Sequence, residues 1–339
     1  MSKANLIEKP TFKTFCYAMK LQKKLKEENL TESETDRIQR ELEAQFVQHS
    51  RTTLYFMGFT SEATPYEKQV KIYSPMFPGF RKDTHNIVYP WHALKDLFTY
   101  PDIFKGLWNR IFACTKCKMM TTYRRALDNT FSDSDNLYKT FESCGMYLSP
   151  EINLVGYSLG TQLIFNLLVK LQLANDGHKE EADRNYKVNN VVFMAGVLSC
   201  EWLYTQLAKF LGKNGVIKGR IIIIQSKHDL KLRVLVGKFY VNSRDRDFDD
   251  IEEFNNDPVG GCYFSHDNAA KFIDRSIEPF NKMNLEEIKK FLEDKIKIVD
   301  ASTLKVKSGE VKTVSHPDYV NDDIFAEVCN KVTPLLNKI

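Results

Sequence analysis

From residue 51 onward the apolar positions of this chain fall into two alternating textures: short unbroken runs, and longer stretches in which they recur every three or four residues. The runs Thr53–Met57, Ile152–Val155, Val188–Ala195, Arg220–Gln225 and Ile296–Val299 read as strands, with Val70–Tyr73 and Asn86–Tyr89 as two shorter ones. Between them, Thr161–Leu173 sets Leu163, Ile164, Leu167, Leu168 and Leu171 on one helical face. Trp202–Leu211 predicts another helix, and His92–Tyr147 reads mainly helical. Strands without polar alternation are buried on both faces, as they are when helices cover both sides of a parallel sheet. The expected fold class is therefore α/β, a mostly parallel sheet with flanking helices. In such sheets the working residues gather beyond the carboxyl ends of the strands.

Two segments break this rhythm. Thr11–Glu28 and Glu32–His49 predict a charged helical hairpin, the second helix opening on a Thr31 to Glu34 capping box and repeating Ile38, Leu42 and Phe46 every fourth position. Residues 1–50 thus form a helical extension to a domain spanning 51–339. It reads either as a brace or as a docking arm for a protein partner or a membrane surface. The second segment, 241–279, falls before the last strand as an insertion or cap. Arg244–Glu253 is densely charged, Pro258–Gly261 reads as a flexible turn, and Phe248, Ile251 and Phe254 suit the inner face of a short lid helix or the anchor of an inert excursion.

Composition narrows the function classes. Hydrophobic residues at 43% and charged residues at 27% are ordinary globular values for 339 residues. Apolar runs such as Ile221–Ile224 are far shorter than the roughly 20 residues that span a bilayer, so a soluble protein with at most peripheral membrane contact is expected. The net charge of +4 is spread without an arginine-rich block, which argues against nucleic-acid binding. Seven cysteines and no secretory leader suit a reducing, intracellular and cytoplasmic setting. A lysine-rich stretch over residues 1–26, with Glu8 its only acid, leaves organelle targeting open. Cys114 and Cys117 form a C-x-x-C pair with no second pair at zinc-finger spacing, so thiols are expected there, and neither metal nor organic cofactor is implied.

The chemistry centres on Gly156, Tyr157, Ser158, Leu159 and Gly160, a G-x-S-x-G motif between a strand and a helix. That is the setting of a nucleophile elbow, in which a serine on a sharp turn is exposed to a histidine base and to free backbone N–H groups. Asp229 stands just beyond the strand ending at Gln225, where an acid can orient a histidine, or where an aspartate can simply cap a helix. His316 follows the last strand and is the expected base; His266 is its rival, while His49, His85, His92 and His178 lack matching context. The order Ser158, Asp229, His316 is that of an α/β-hydrolase sheet. The oxyanion donors expected are the backbone amides of Leu159, directly after the nucleophile, and Phe59, after Gly58 at the end of an early strand.

Three segments carry a family likeness: Asn153–Ile164 (NLVGYSLGTQLI), Asn190–Gly196 (NVVFMAG) and Gly219–Leu230 (GRIIIIQSKHDL). The chain resembles the α/β-hydrolases typified by transmembrane and coiled-coil domain-containing protein four over roughly residues 50 to 330. The resemblance implies an α/β-hydrolase fold, a serine nucleophile at Ser158, an acid at Asp229 and a histidine at His316. It implies no substrate. Members of that family commonly carry hydrophobic membrane segments, which this sequence does not display.

The resulting expectation is a serine hydrolase of carboxylic esters or thioesters, with small-molecule or lipid-like substrates, working through an acyl-enzyme on Ser158. The alternative is a catalytically silent hydrolase-fold subunit, in which the elbow is architecture and the helical extension serves a larger assembly.

Overall fold

The computed structural model describes residues 51–58, 66–74, 76, 84–89, 115–144, 151–177, 187–229, 232, 258–261 and 263–336. In chain order the principal elements are β1 (Arg51–Phe56), α1 (Tyr66–Tyr73), β2 (Thr84–Tyr89), α2 (Thr115–Cys144), β3 (Glu151–Tyr157), α3 (Gly160–Gly177), β4 (Val188–Met194), α4 (Cys200–Leu211) and β5 (Ile221–Gln225). There follow α5 (His266–Phe272), α6 (Leu285–Lys295), β6 (Ile296–Asp300), a small hairpin of β7 (Thr303–Lys305) and β8 (Val311–Thr313), and α7 (Asp322–Leu336). The helical hairpin expected within residues 1–50, the Cys114–Cys117 pair and the charged stretch Arg244–Glu253 lie outside the described residues or their described side chains.

Six strands form one sheet in the order β2-β1-β3-β4-β5-β6, and every neighbouring pair is parallel. Burial explains the unbroken apolar runs: Ile221, Ile222, Ile223 and Ile224 on β5 are all fully enclosed, so no position on that strand faces water. Helices supply the cover. The face of α3 places Leu163, Ile164, Leu167, Leu168 and Leu171 in the core, and Tyr73 of α1 meets Phe325 of α7 edge-on at 6.1 Å. Among the described residues no helix is long and apolar enough to cross a membrane.

A polar thread crosses this apolar sheet. The Asn153 carbonyl oxygen accepts from both the backbone N–H (3.1 Å) and the side-chain amide (3.0 Å) of Asn190, while the Asn153 amide donates to Thr53 Oγ1 at 3.3 Å. Asn190 in turn accepts the Arg220 N–H at 3.3 Å. The β3–β4 register shifts between Ile152 and Leu154, at this asparagine, so the side chain satisfies a backbone donor at the irregularity. The thread thereby links β1, β3 and β4 and reaches the residue that leads into β5.

Two expectations need correcting. Val70–Tyr73 is the last turn of α1 and not a strand. Its apolar-polar alternation imitates a strand over four residues, but Gln69, Ile72 and Tyr73 are the buried positions, spaced as a helix face, and the Tyr73 hydroxyl donates to the Phe56 carbonyl at 2.7 Å. Pro258–Gly261 is not a flexible turn either. Val259 and Gly260 donate to the carbonyls of Leu198 and Gly196, the Gly260 carbonyl accepts from Ser226, and Val259 is fully buried, so this piece is stitched between the loops after β4 and β5. The chain beyond it joins the helical layer: Phe264, Ala269, Ala270, Ile273 and Phe280 all enter the core. Phe248, Ile251 and Phe254 lie outside the described residues.

Candidate active site

The turn between β3 and α3 is tight because the chain must reverse from strand to helix within three residues. Ser158 takes a φ of 52°, the left-handed region that a serine enters only at a cost of about 1–3 kcal/mol. The surroundings hold it there. Its N–H donates to the Met194 carbonyl at 2.9 Å, extending the β3–β4 ladder, and its carbonyl accepts both the N–H (3.1 Å) and the hydroxyl (2.6 Å) of Thr161. Glycine is required where this turn meets β1: a Cβ on Gly160 would fall on the Phe56 and Met57 carbonyl oxygens, and one on Gly58 would lie 2.8 Å from Ser158 Cβ. Gly58 therefore abuts the serine directly.

Three side chains from three loops converge beyond the carboxyl ends of the strands. Ser158 Oγ lies 2.8 Å from His316 Nε2, and His316 Nδ1 lies 2.8 Å from Asp229 Oδ2. Asp229 is fully buried. Facing a carboxylate, Nδ1 carries the ring proton and donates it, which leaves the Nε2 lone pair aimed at the serine hydroxyl. The second carboxylate oxygen, Oδ1, accepts the Leu232 N–H at 3.1 Å. One carboxylate oxygen of Asp229 thus meets the histidine and the other a backbone N–H three residues on.

The loops themselves are tied together. Ser226 Oγ donates to the Val314 carbonyl, joining the loop that carries Asp229 to the one that carries His316, and Lys227 N–H donates to Ser302 Oγ at 2.9 Å. The histidine opens a short 3-10 turn, His316–Val320, with Pro317 at its start. Asp318 Oδ2 there accepts the N–H (2.7 Å) and the hydroxyl (2.6 Å) of Ser315. From the opposite side the Tyr157 hydroxyl donates to the His316 carbonyl at 2.7 Å.

Of the residues singled out in the sequence, the structure brings Ser158, Asp229 and His316 into one hydrogen-bonded chain. The Leu159 N–H meets no acceptor among the described residues, and it directly follows the serine. Phe59, the second expected oxyanion donor, lies outside the described residues. His266 is elsewhere: it begins α5, and its Nε2 donates to the Ile296 carbonyl at 2.9 Å. Sequence reading passed over Tyr157, whose position as a variable letter of the motif gives no sign that it reaches a residue in the last loop. Among the described residues, no cluster of histidine, cysteine and acidic side chains is suited to a metal ion. Comparison with protein-family models and with curated proteins finds no match to this chain.

Proposed function

We propose that this protein is a serine hydrolase with an α/β-hydrolase core, acting on carboxylic esters or thioesters, lipid-like ones among them. The observation that carries the reading is the unbroken contact from Asp229 through His316 to Ser158, both links 2.8 Å long. Its support is positional. The serine follows the central strand β3, the acid follows β5 and the histidine follows β6, the arrangement an α/β-hydrolase sheet requires.

In this mechanism His316 Nε2 removes the serine proton as Oγ attacks the substrate carbonyl, and the tetrahedral oxyanion forms beside the Leu159 amide. The Phe59 amide, next after Gly58, is our second donor; an oxyanion donor of this kind contributes about 10²–10³ in rate. His316 then passes its proton to the leaving oxygen or sulfur, leaving an acyl group on Ser158. Water, deprotonated by the same imidazole, releases the acid and restores the serine. Asp229 keeps the imidazole in the tautomer that leaves Nε2 free and stabilises the imidazolium while it exists.

The test is a fluorophosphonate probe, which phosphonylates a serine only when a base activates it. The folded full-length protein should gain one adduct that maps to Ser158 and is absent from Ser158→Ala. Folded protein that takes up no probe would overturn the reading and leave the silent, assembly-forming alternative.

A further inference from the structure

Tyr157 closes β3 opposite Met194 of β4, and its phenol turns to the segment that follows β8. It makes two separate contacts with one residue. Its hydroxyl donates to the His316 backbone carbonyl, and its ring stacks on the imidazole with centroids 5.3 Å apart and planes 26° from parallel. The same ring also meets Tyr319, with centroids 6.4 Å apart and planes tilted by 48°.

We propose that Tyr157 is the positioning residue for His316, fixing the imidazole against Ser158 through its hydroxyl and presenting its ring face to the charge that forms there. This rests on the serine-hydrolase reading above. Tyr157 and Ser158 are peptide neighbours, and the constrained backbone at Ser158 sets the spacing between their side chains. The tyrosine grips the backbone of His316 while the serine meets its ring, so nucleophile and base share one rigid reference. Without this anchor the base loop still has the Ser226–Val314 and Asp229–His316 ties, which act beyond the elbow. The hydroxyl also remains a donor throughout the working range: burial first, then the nearby charges of Asp229 and Asp318, hold the phenol well above its usual value. The ring contributes through its negative face, which attracts an imidazolium more than a neutral imidazole. That interaction strengthens as the proton transfers, which is the kind that lowers a barrier.

The test compares Tyr157→Phe, which removes the anchor and keeps the ring, with Tyr157→Leu, which removes both. Two measurements are made on the full chain: the rate of Ser158 labelling by a fluorophosphonate, and the downfield proton resonance of the Nδ1–H bond between His316 and Asp229. Labelling should slow about tenfold in Tyr157→Phe and about a hundredfold in Tyr157→Leu. The downfield proton should exchange faster with water in the first and disappear in the second. A Tyr157→Phe protein that labels at the wild-type rate overturns the proposal. So does slower labelling that tracks a fall in melting temperature while the resonance is unchanged, since the tyrosine would then be only a packing residue. Should wild-type protein fail to label, the resonance still reports on Tyr157: faster exchange in Tyr157→Phe would uphold the positioning role while the hydrolase reading fell.

Discussion

At the scale of single residues, the two candidate bases differ in what their rings touch. His316 bridges Asp229 and Ser158, whereas His266 spends its Nε2 on the Ile296 carbonyl. His316→Ala should therefore cut acyl transfer by at least about 10³-fold with the fold intact, because a base and its nucleophile act as a unit. His266→Ala should leave the rate nearly unchanged and cost about 0.5–1.5 kcal/mol of stability, the net worth of one hydrogen bond. Parallel turnover measurements and denaturant titrations on the two variants check both halves, and the reverse ranking would sink the assignment. Much of this neighbourhood was legible from chain position. Ser158 was marked by its flanking glycines, and Asp229 and His316 by following strands. The contact of Tyr157 was not legible, because nothing in a linear string reports a hydroxyl meeting a carbonyl 159 residues away.

At the scale of elements, caps and tertiary contacts decide what local pattern leaves open. The helix α6 begins with a reciprocal box: Asn284 accepts the Glu287 N–H at 3.0 Å, and the Glu287 carboxylate accepts the Asn284 N–H at 2.8 Å. Both residues are exposed at that end, while Ile288 and Leu292 bury the opposite face. Asn284→Ala should lower unfolding free energy by about 1 kcal/mol. In a urea titration this would be a lower midpoint with an unchanged slope, and the rate of probe uptake at Ser158 should stay as it is. The long, uniform signals were readable in advance, such as the isoleucine run of β5 and the leucine face of α3. The short ones were not. Val70–Tyr73 offered four residues of alternation, too few to separate a strand from one helical turn, and burial of Tyr73 beneath β1 settled the matter. For Pro258–Gly261, proline and glycine suggested a free turn, but three backbone hydrogen bonds to the loops after β4 and β5 hold it in the core.

At the scale of the whole molecule, the core contains phenols and a thiol that can ionise only at a cost. Burial is the leading cause in each case: Tyr55, Tyr73 and Tyr157 are held well above the ordinary phenol range, and the Cys329 thiol is pushed up to about 12. These groups are neutral when protonated, and the folded state holds their protons more tightly than the unfolded chain does. The stability they contribute is therefore complete below the unfolded values, about 8.5 for a thiol and about 10 for a phenol, and is lost as pH climbs from there toward the folded ones. Unfolding free energy should decline with rising pH from about 9 upward. The tyrosinate absorbance of these three residues should appear together with the loss of helical circular dichroism, and its full appearance in protein that keeps its helical signal would contradict this. The span of the triad has a further consequence. Its members stand at positions 158, 229 and 316, and the last arrives only after β6 has closed the edge of the sheet and the β7–β8 hairpin has been laid down. A nascent chain, or a fragment released before the final loop, would carry a complete elbow and no base. On the proposed reading such a chain is inert toward esters, and Ser158 becomes reactive only once the segment that carries His316 has been made and has folded onto the elbow.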